Sequence, residues 1–256
     1  MSTNKAKAGG SRRSIKRATN WPPKSVLSPG EDFKWMPEVI FDLHNTLVDW
    51  TGRFAEFVNL QYGHSIDAKS VAFYHMQFDP ENALTNAEFL DAFVAFARRA
   101  KGGYGELEPY DGVVEALREI KDAGIDVKIW TWTPGAAEAR IDNGTASYNT
   151  GIAQGVTKNL VAKLGLDPDR DLRFIKPGEK KYEMIDEHIP LIVEDSPETA
   201  VGVGQAAHAA ILVPESYNQG IVAPNVLRLD HRGQLAPTVI DFFKKLEKAG
   251  VLHRTT

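Results

Sequence analysis

Two apolar runs in this chain end on carboxylates. Val39-Ile40-Phe41-Asp42 breaks into a short polar loop carrying His44, Asn45 and Thr46, and Leu191-Ile192-Val193 runs into the adjacent acids Glu194 and Asp195. A carboxylate at the carboxyl end of a buried strand is where open α/β sheets put their reacting groups. Asp42 in that position can attack phosphorus and divide a hydrolysis into two displacements; the same residue can also merely cap the turn from Leu43 to Thr46. The paired acids repel each other, and burial raises the cost. A hard divalent cation removes that conflict, since such ions take one or two carboxylates with water and phosphate oxygens. Mg²⁺ is the expected ion, held by Asp42, Glu194 and Asp195; an ion-paired helix start is the alternative.

A third run, Ile129-Trp130-Thr131-Trp132-Thr133, places hydroxyls where another strand should end. A threonine hydroxyl holds a phosphoryl oxygen without adding charge, and amides at the next helix start can add donors. Thr131 is the first candidate and Thr133 the substitute, because the register of a strand end is uncertain by a residue or two.

The elements that must position these groups follow from periodicity. Glu38 to Phe41, Ile125 to Thr131, Leu172 to Ile175, Pro190 to Glu194 and Ala209 to Val213 read as strands separated by helical spacing. Strands apolar on both faces and alternating with helices imply an α/β fold, a Rossmann-like and mainly parallel sheet flanked by helices. Asp111 is placed to cap a helix from Val113 to Ala123 that Gly124 closes, and Ser196-Pro197-Glu198 supplies a cap, a first-turn proline and a dipole-matched acid. Between the first two strands lies far more chain than one crossover helix uses. Thr85-Asn86-Ala87-Glu88 reads as a capping box ahead of Phe89, Phe93 and Phe96 at helical spacing. A small helical cap inserted after the first strand accounts for residues 49–108, with 38–48 and 109–256 forming the core. Phe54, Phe57, Phe73, Tyr74 and Phe78 are assigned to the interior of the cap.

Residues 1–30 hold seven basic residues and no acid, so the net charge of −4 divides into +7 there and −11 over the remainder. Rich in Ser, Gly, Lys and Arg, the stretch cannot bury enough surface to order itself, and residues 1–37 are read as a basic, disordered arm. Such an arm can hold a protein near nucleic acid or act only as a solubilising tail. The chain has no cysteine, which excludes disulfides, thiolate metal sites and cysteine nucleophiles. No apolar run approaches the roughly 20 residues of a membrane helix, so no membrane association and a soluble, cytoplasmic protein are expected.

In order, the four passages around Asp42, Thr131, Lys176 and Glu194-Asp195 resemble the motifs of the haloacid dehalogenase superfamily, over residues 38 to 213. The resemblance implies hydrolysis of a small phosphorylated substrate through an aspartyl phosphate on Asp42, with Mg²⁺ bound by Asp42, Glu194, Asp195 and the backbone carbonyl of His44. It also implies a catalytic lysine. Lys176, in Lys176-Pro177-Gly178, matches one form of that motif and Lys180 matches a shortened one; at most one of Lys176, Lys180 and Lys181 is needed. Asn45 and Trp132, beside the motif positions, are carried as substrate-side residues with Thr131 and Thr133. One position departs from the pattern. His44 stands where most phosphatases of the superfamily have a second aspartate, the group that protonates the leaving oxygen and then activates water. Imidazole can do both near neutrality, or His44 can mark a slow or inactive relative used for binding or regulation. The passage from Val213 to Asn218 has a slight likeness to the 5'(3')-deoxyribonucleotidase branch, and the arm leaves room for a polynucleotide end phosphatase.

Overall fold

A computed structural model describes residues 21–71, 84–99, 101–132, 139–141, 144–146, 150–176 and 179–253. Six strands form one parallel sheet: β1 (Glu38–Phe41), β2 (Asp126–Trp132), β5 (Leu172–Ile175), β6 (Leu191–Glu194), β7 (Ala209–Leu212) and β8 (Val226–Arg228), in the order β5-β2-β1-β6-β7-β8. Two further strands, β3 (Ala139–Ile141) and β4 (Gly144–Ala146), make a separate antiparallel pair. The chain starts in the middle at β1, builds outward through β2 to β5, then returns to the other side of β1 with β6. The order reverses between β1 and β6, and the carboxyl ends of these two strands are the switch point at which open α/β sheets form their binding crevice.

Alternation along the central strands sends successive side chains to opposite faces of the sheet. Val39, Phe41, Leu191, Val193 and Ile211 enter the larger core, under α4 (Val113–Asp122) and α8 (Leu235–Lys248). Ile40, Ile192, Ala210 and Leu212 enter the smaller one, under α7 (Pro197–Gln205). Both faces are covered, which is why these strands read as unbroken apolar runs.

The helical character expected between β1 and β2 is present in α2 (Trp50–Tyr62) and α3 (Asn86–Ala97). Thr85 and Glu88 close the capping box: the Glu88 amide donates to Thr85 Oγ1 at 3.2 Å and the Thr85 amide to the Glu88 carboxylate at 2.9 Å. Phe54 packs edge-on to Phe89 and Phe96, both at 5.4 Å, and Phe57 is buried. Phe73, Tyr74 and Phe78 lie outside the described residues.

Several expectations are corrected. Residues 21–37 belong to the globule and not to an arm: Val26 and Trp35 are buried, Trp35 Nε1 donates to the Val26 carbonyl at 2.8 Å, and backbone bonds join Trp35 to Val251 and His253. The tryptophans at 21 and 35 supply apolar area that grouping this segment with the basic residues before it concealed. Residues 1–20 lie outside the described set. Gly112, at φ 77°, is the N-cap of α4, with no side-chain cap from Asp111. β8 escaped notice because a three-residue, half-buried edge strand shows no usable period. Among the described residues no helix is long and apolar enough to cross a membrane.

Candidate active site

The three acids singled out by the sequence meet at the crevice. Asp42 follows β1, where its amide extends the ladder by donating to the Val193 carbonyl at 2.9 Å; Glu194 ends β6 and Asp195 follows it. All three are buried, and each offers a carboxylate oxygen within 4.8 Å of the others. Lys181, the first residue of the short helix α6 (Lys181–Met184), reaches into the cluster. Its ammonium is paired with Asp42 Oδ1 and lies 2.5 Å from Glu194 Oε1. The other oxygen of Glu194 accepts the amides of Asp195 and Ser196, both at 3.2 Å, at the start of α7.

The charges do not balance. Three carboxylates face one ammonium, and burial disfavours every ionised acid. Burial raises the pKa of Asp42 above the usual carboxylate range even though Lys181 pulls it down, and Glu194 shifts the same way. Asp195 rises furthest beyond its ordinary value, through burial and then the charges of Glu194 and Asp42. Burial alone would depress Lys181, but Asp42 and Glu194 hold its pKa above the ordinary lysine value. A buried set of oxygen donors with surplus negative charge fits a hard divalent cation by the chemistry of the donors themselves.

His44 sits beside the cluster in a chain of hydroxyls. Its Nδ1 lies 3.2 Å from Thr131 Oγ1 and its Nε2 lies 2.7 Å from the phenol oxygen of Tyr104, which in turn lies 3.0 Å from Thr157 Oγ1. Burial first, and the Lys181 charge second, pull the His44 pKa down to about 3, so the ring is neutral at physiological pH.

A second group of residues braces the loops. Tyr217 donates to Asp195 Oδ2 at 2.5 Å, Asn218 Nδ2 to the Asp195 carbonyl at 2.9 Å, and Thr46 Oγ1 to Asp195 Oδ1 at 3.3 Å. Arg232 pairs with Glu215, stacks 3.7 Å above the Tyr110 ring, and donates to the backbone carbonyls of Asn45 and Thr46. Five donors in a fixed plane thus tie the loop after Asp42 to the loop after β7.

The structure brings together Asp42, His44, Thr131, Glu194 and Asp195. Thr133 lies outside the described residues. Trp132 sits at the rim, 37% exposed and stacked on Phe93 of α3 at 5.4 Å. Asn45, expected at the substrate, is a turn residue at φ 55° whose Oδ1 accepts the Thr51 amide at 2.8 Å, at the start of α2. The lysine is the principal correction, because Lys181 holds the place at the acids that Lys176 or Lys180 was expected to take. Lys180 is the extended N-cap residue of α6, half exposed and 3.5 Å from Glu183, and Lys176 is exposed. The helix begins one residue later than its lysines reveal, and only that start decides which one turns inward. Tyr104, Thr157 and Arg232 were missed outright, as neither spacing nor composition marks them; Tyr217 lies in the passage from Val213 to Asn218, which was read only for its slight likeness to nucleotidases.

No family model matches the sequence, and no curated protein matches it. Solved structures do resemble it. A predicted phosphatase from Clostridium acetobutylicum is 16% identical and aligns with a TM-score of 0.50 over 80% of this chain and 98% of that one. A haloacid dehalogenase-like hydrolase from Streptococcus pneumoniae is 15% identical, at 0.49 over 80% and 97%. A haloacid dehalogenase-superfamily hydrolase from Ehrlichia chaffeensis is 15% identical, at 0.44 over 82% and 99%. At such identities the likeness is one of fold alone: the chain shares with the predicted phosphatase a Rossmann-like α/β architecture, a parallel sheet flanked by helices.

Proposed function

We propose that this protein is a Mg²⁺-dependent phosphohydrolase that cleaves a small phosphomonoester, such as a nucleotide, through an aspartyl phosphate on Asp42. The observation that carries this reading is the surplus of buried carboxylates around Lys181 at the carboxyl ends of β1 and β6. A purely structural ion pair has no use for three mutually repelling acids.

In the first step an Asp42 oxygen forms a bond to phosphorus while the bond from phosphorus to the alcohol oxygen breaks; the departing oxygen takes a proton from solvent, which His44 returns to solvent after the second step. Lys181 neutralises the nucleophile and the transferring group, and the Thr131 hydroxyl, which lies beside His44, turns to hold a phosphoryl oxygen. In the second step water attacks phosphorus, the bond to Asp42 breaks, and His44 takes the proton that water gives up. A divalent ion held by Asp42, Asp195, Glu194 and the His44 carbonyl would offset the charge of the phosphoryl group. The aromatic surface at the rim, Trp132 stacked on Phe93, supports a substrate with a flat ring.

One observation favours a second reading. His44 is held unprotonated, so it lacks the proton that a reluctant leaving group needs, and a pKa so far below neutrality also makes it a weak base. A protein that binds Mg²⁺ and phosphorylated ligand with little turnover is the alternative. Phosphate release from nucleoside monophosphates, sugar phosphates and an aryl phosphate, with Mg²⁺ or chelator, tests both. Turnover that disappears with chelator and in Asp42→Asn supports the hydrolase. No turnover in the wild type together with a gain in His44→Asp supports the binding protein, and no turnover in either removes the hydrolase.

A further inference from the structure

We propose that Tyr104 and Thr157 are positioning residues that lock His44 as the tautomer protonated on Nε2, leaving Nδ1 as the nitrogen presented beside Thr131. The argument counts protons along one buried chain. Thr157 lies within α5 (Thr150–Lys163), and its hydroxyl donates to the Ala153 carbonyl one turn back at 2.9 Å. That uses its single proton, so toward Tyr104, at 3.0 Å, Thr157 Oγ1 can only accept. The Tyr104 phenol has one proton as well, and burial keeps it there by raising the phenol pKa. With that proton given to Thr157, the phenol oxygen can only accept at its 2.7 Å contact with His44 Nε2. Nε2 therefore carries the ring proton, and Nδ1 is left bare 3.2 Å from the Thr131 hydroxyl, whose single proton it shares with the Trp132 carbonyl at 3.3 Å.

Tyr104, Thr131 and Thr157 are all fully buried, so water does not compete for these bonds. The fixed end of the chain is a helix carbonyl, which has no alternative role, and direction runs from it to the ring. The contributors are far apart in sequence: His44 follows β1, Tyr104 opens the 3₁₀ turn at Tyr104–Glu106, and Thr157 sits in α5. Orientation of a histidine through the bond its far nitrogen makes is a general device. Here a neutral phenol does it, which sets the tautomer without adding a fourth negative charge to the cluster.

The functional consequence rests on the proposed hydrolysis, in which Thr131 turns its proton to a phosphoryl oxygen and so leaves Nδ1 open to the proton from water; the tautomer itself can be read without turnover. Two-bond ¹H–¹⁵N correlation spectra of ¹⁵N-histidine-labelled full-length protein distinguish the two neutral tautomers, and His44→Gln assigns the signal. The expected wild-type pattern is protonated Nε2 and bare Nδ1. In Thr157→Val the phenol loses its acceptor, turns its proton toward Nε2, and the ring proton moves to Nδ1; Thr157→Ser restores the wild-type pattern. Tyr104→Phe gives a mixture of tautomers, with kcat down about tenfold and KM within about twofold. A wild-type signal from the Nδ1-protonated form or a mixture, or an unchanged pattern in Thr157→Val, overturns the proposal. The expected tautomers in a protein without turnover would uphold the lock and remove the hydrolase.

Discussion

Asp171 and the Asp42 cluster lie at opposite ends of one parallel sheet, and both bury carboxylate. Asp171 precedes β5, and its oxygens accept Arg170 Nε at 2.8 Å, Arg170 Nη2 at 2.9 Å, Lys128 Nζ at 3.0 Å and the Asp167 amide at 3.0 Å. Burial works against its charge, yet Arg170 and Lys128 hold its pKa below the ordinary aspartate value. At the other end three acids share Lys181, and their pKa values move up. One acid with two cations is a finished structural contact. Three acids with one cation form a site that folding leaves short of positive charge, the condition under which a ligand cation and a phosphoryl group bind.

The contrast breaks first at the nucleophile. Asp42→Asn should lower turnover by at least about a thousandfold while leaving thermal stability unchanged or higher in chelator, because it removes a repelling charge; a lower melting temperature would show that the cluster is structural. Lys181→Met should destabilise the metal-free protein by about 3 kcal/mol by leaving the acids without a partner, read from urea unfolding. Asp171→Asn should cost about 2 kcal/mol, reduced from a fully buried pair because Arg170 is largely exposed, and kcat should stay within about twofold.

The two ends also tilt the pH profile in opposite directions. For the cluster, the folded protein holds protons that the unfolded chain releases above about pH 4. Stability in chelator should therefore fall as pH rises through and beyond that value. Asp171 has a depressed pKa, so its contribution is present above about pH 4 and disappears as pH falls through its folded pKa. Urea titrations from pH 3 to 8 should show Asp42→Asn flattening the neutral limb and Asp171→Asn the acid limb. Mg²⁺ at about a hundred times its Kd should add about 2.7 kcal/mol, more at pH 8 than at pH 5, and Asp195→Asn should abolish the gain. The smallest effects belong to Lys176→Ala and Lys180→Ala, each within about 0.5 kcal/mol.

Much of the frame was open to reading. β1 and β6 announce themselves as short apolar runs ending on acids because a strand buried on both faces tolerates no polar residue until it leaves the sheet. The capping box at Thr85 and the serine N-cap at Ser196 are local hydrogen bonds and show in four consecutive residues. The lysine was harder. Lys176, Lys180 and Lys181 are chemically alike, and the selection depends on where α6 begins and which way its first residue turns, a matter of packing rather than composition. The segment from 21 to 37 misled for a related reason: it was grouped with the basic residues that precede it, although its own charges balance, Lys24 and Lys34 against Glu31 and Asp32, and its two tryptophans count only once a core exists to receive them.

The sequence by itself determined the alternating α/β order, the carboxylate at the end of β1, the acid pair at the end of β6 and the histidine where an aspartate was expected, since each is a property of neighbouring residues. Tertiary structure alone decided that Lys181 serves the acids, that Tyr217 and Asn218 brace Asp195, and that Tyr104 and Thr157 hold His44. Those contacts join residues tens of positions apart. Closing such loops costs entropy, which only the assembled core offsets, so no local pattern has to record them.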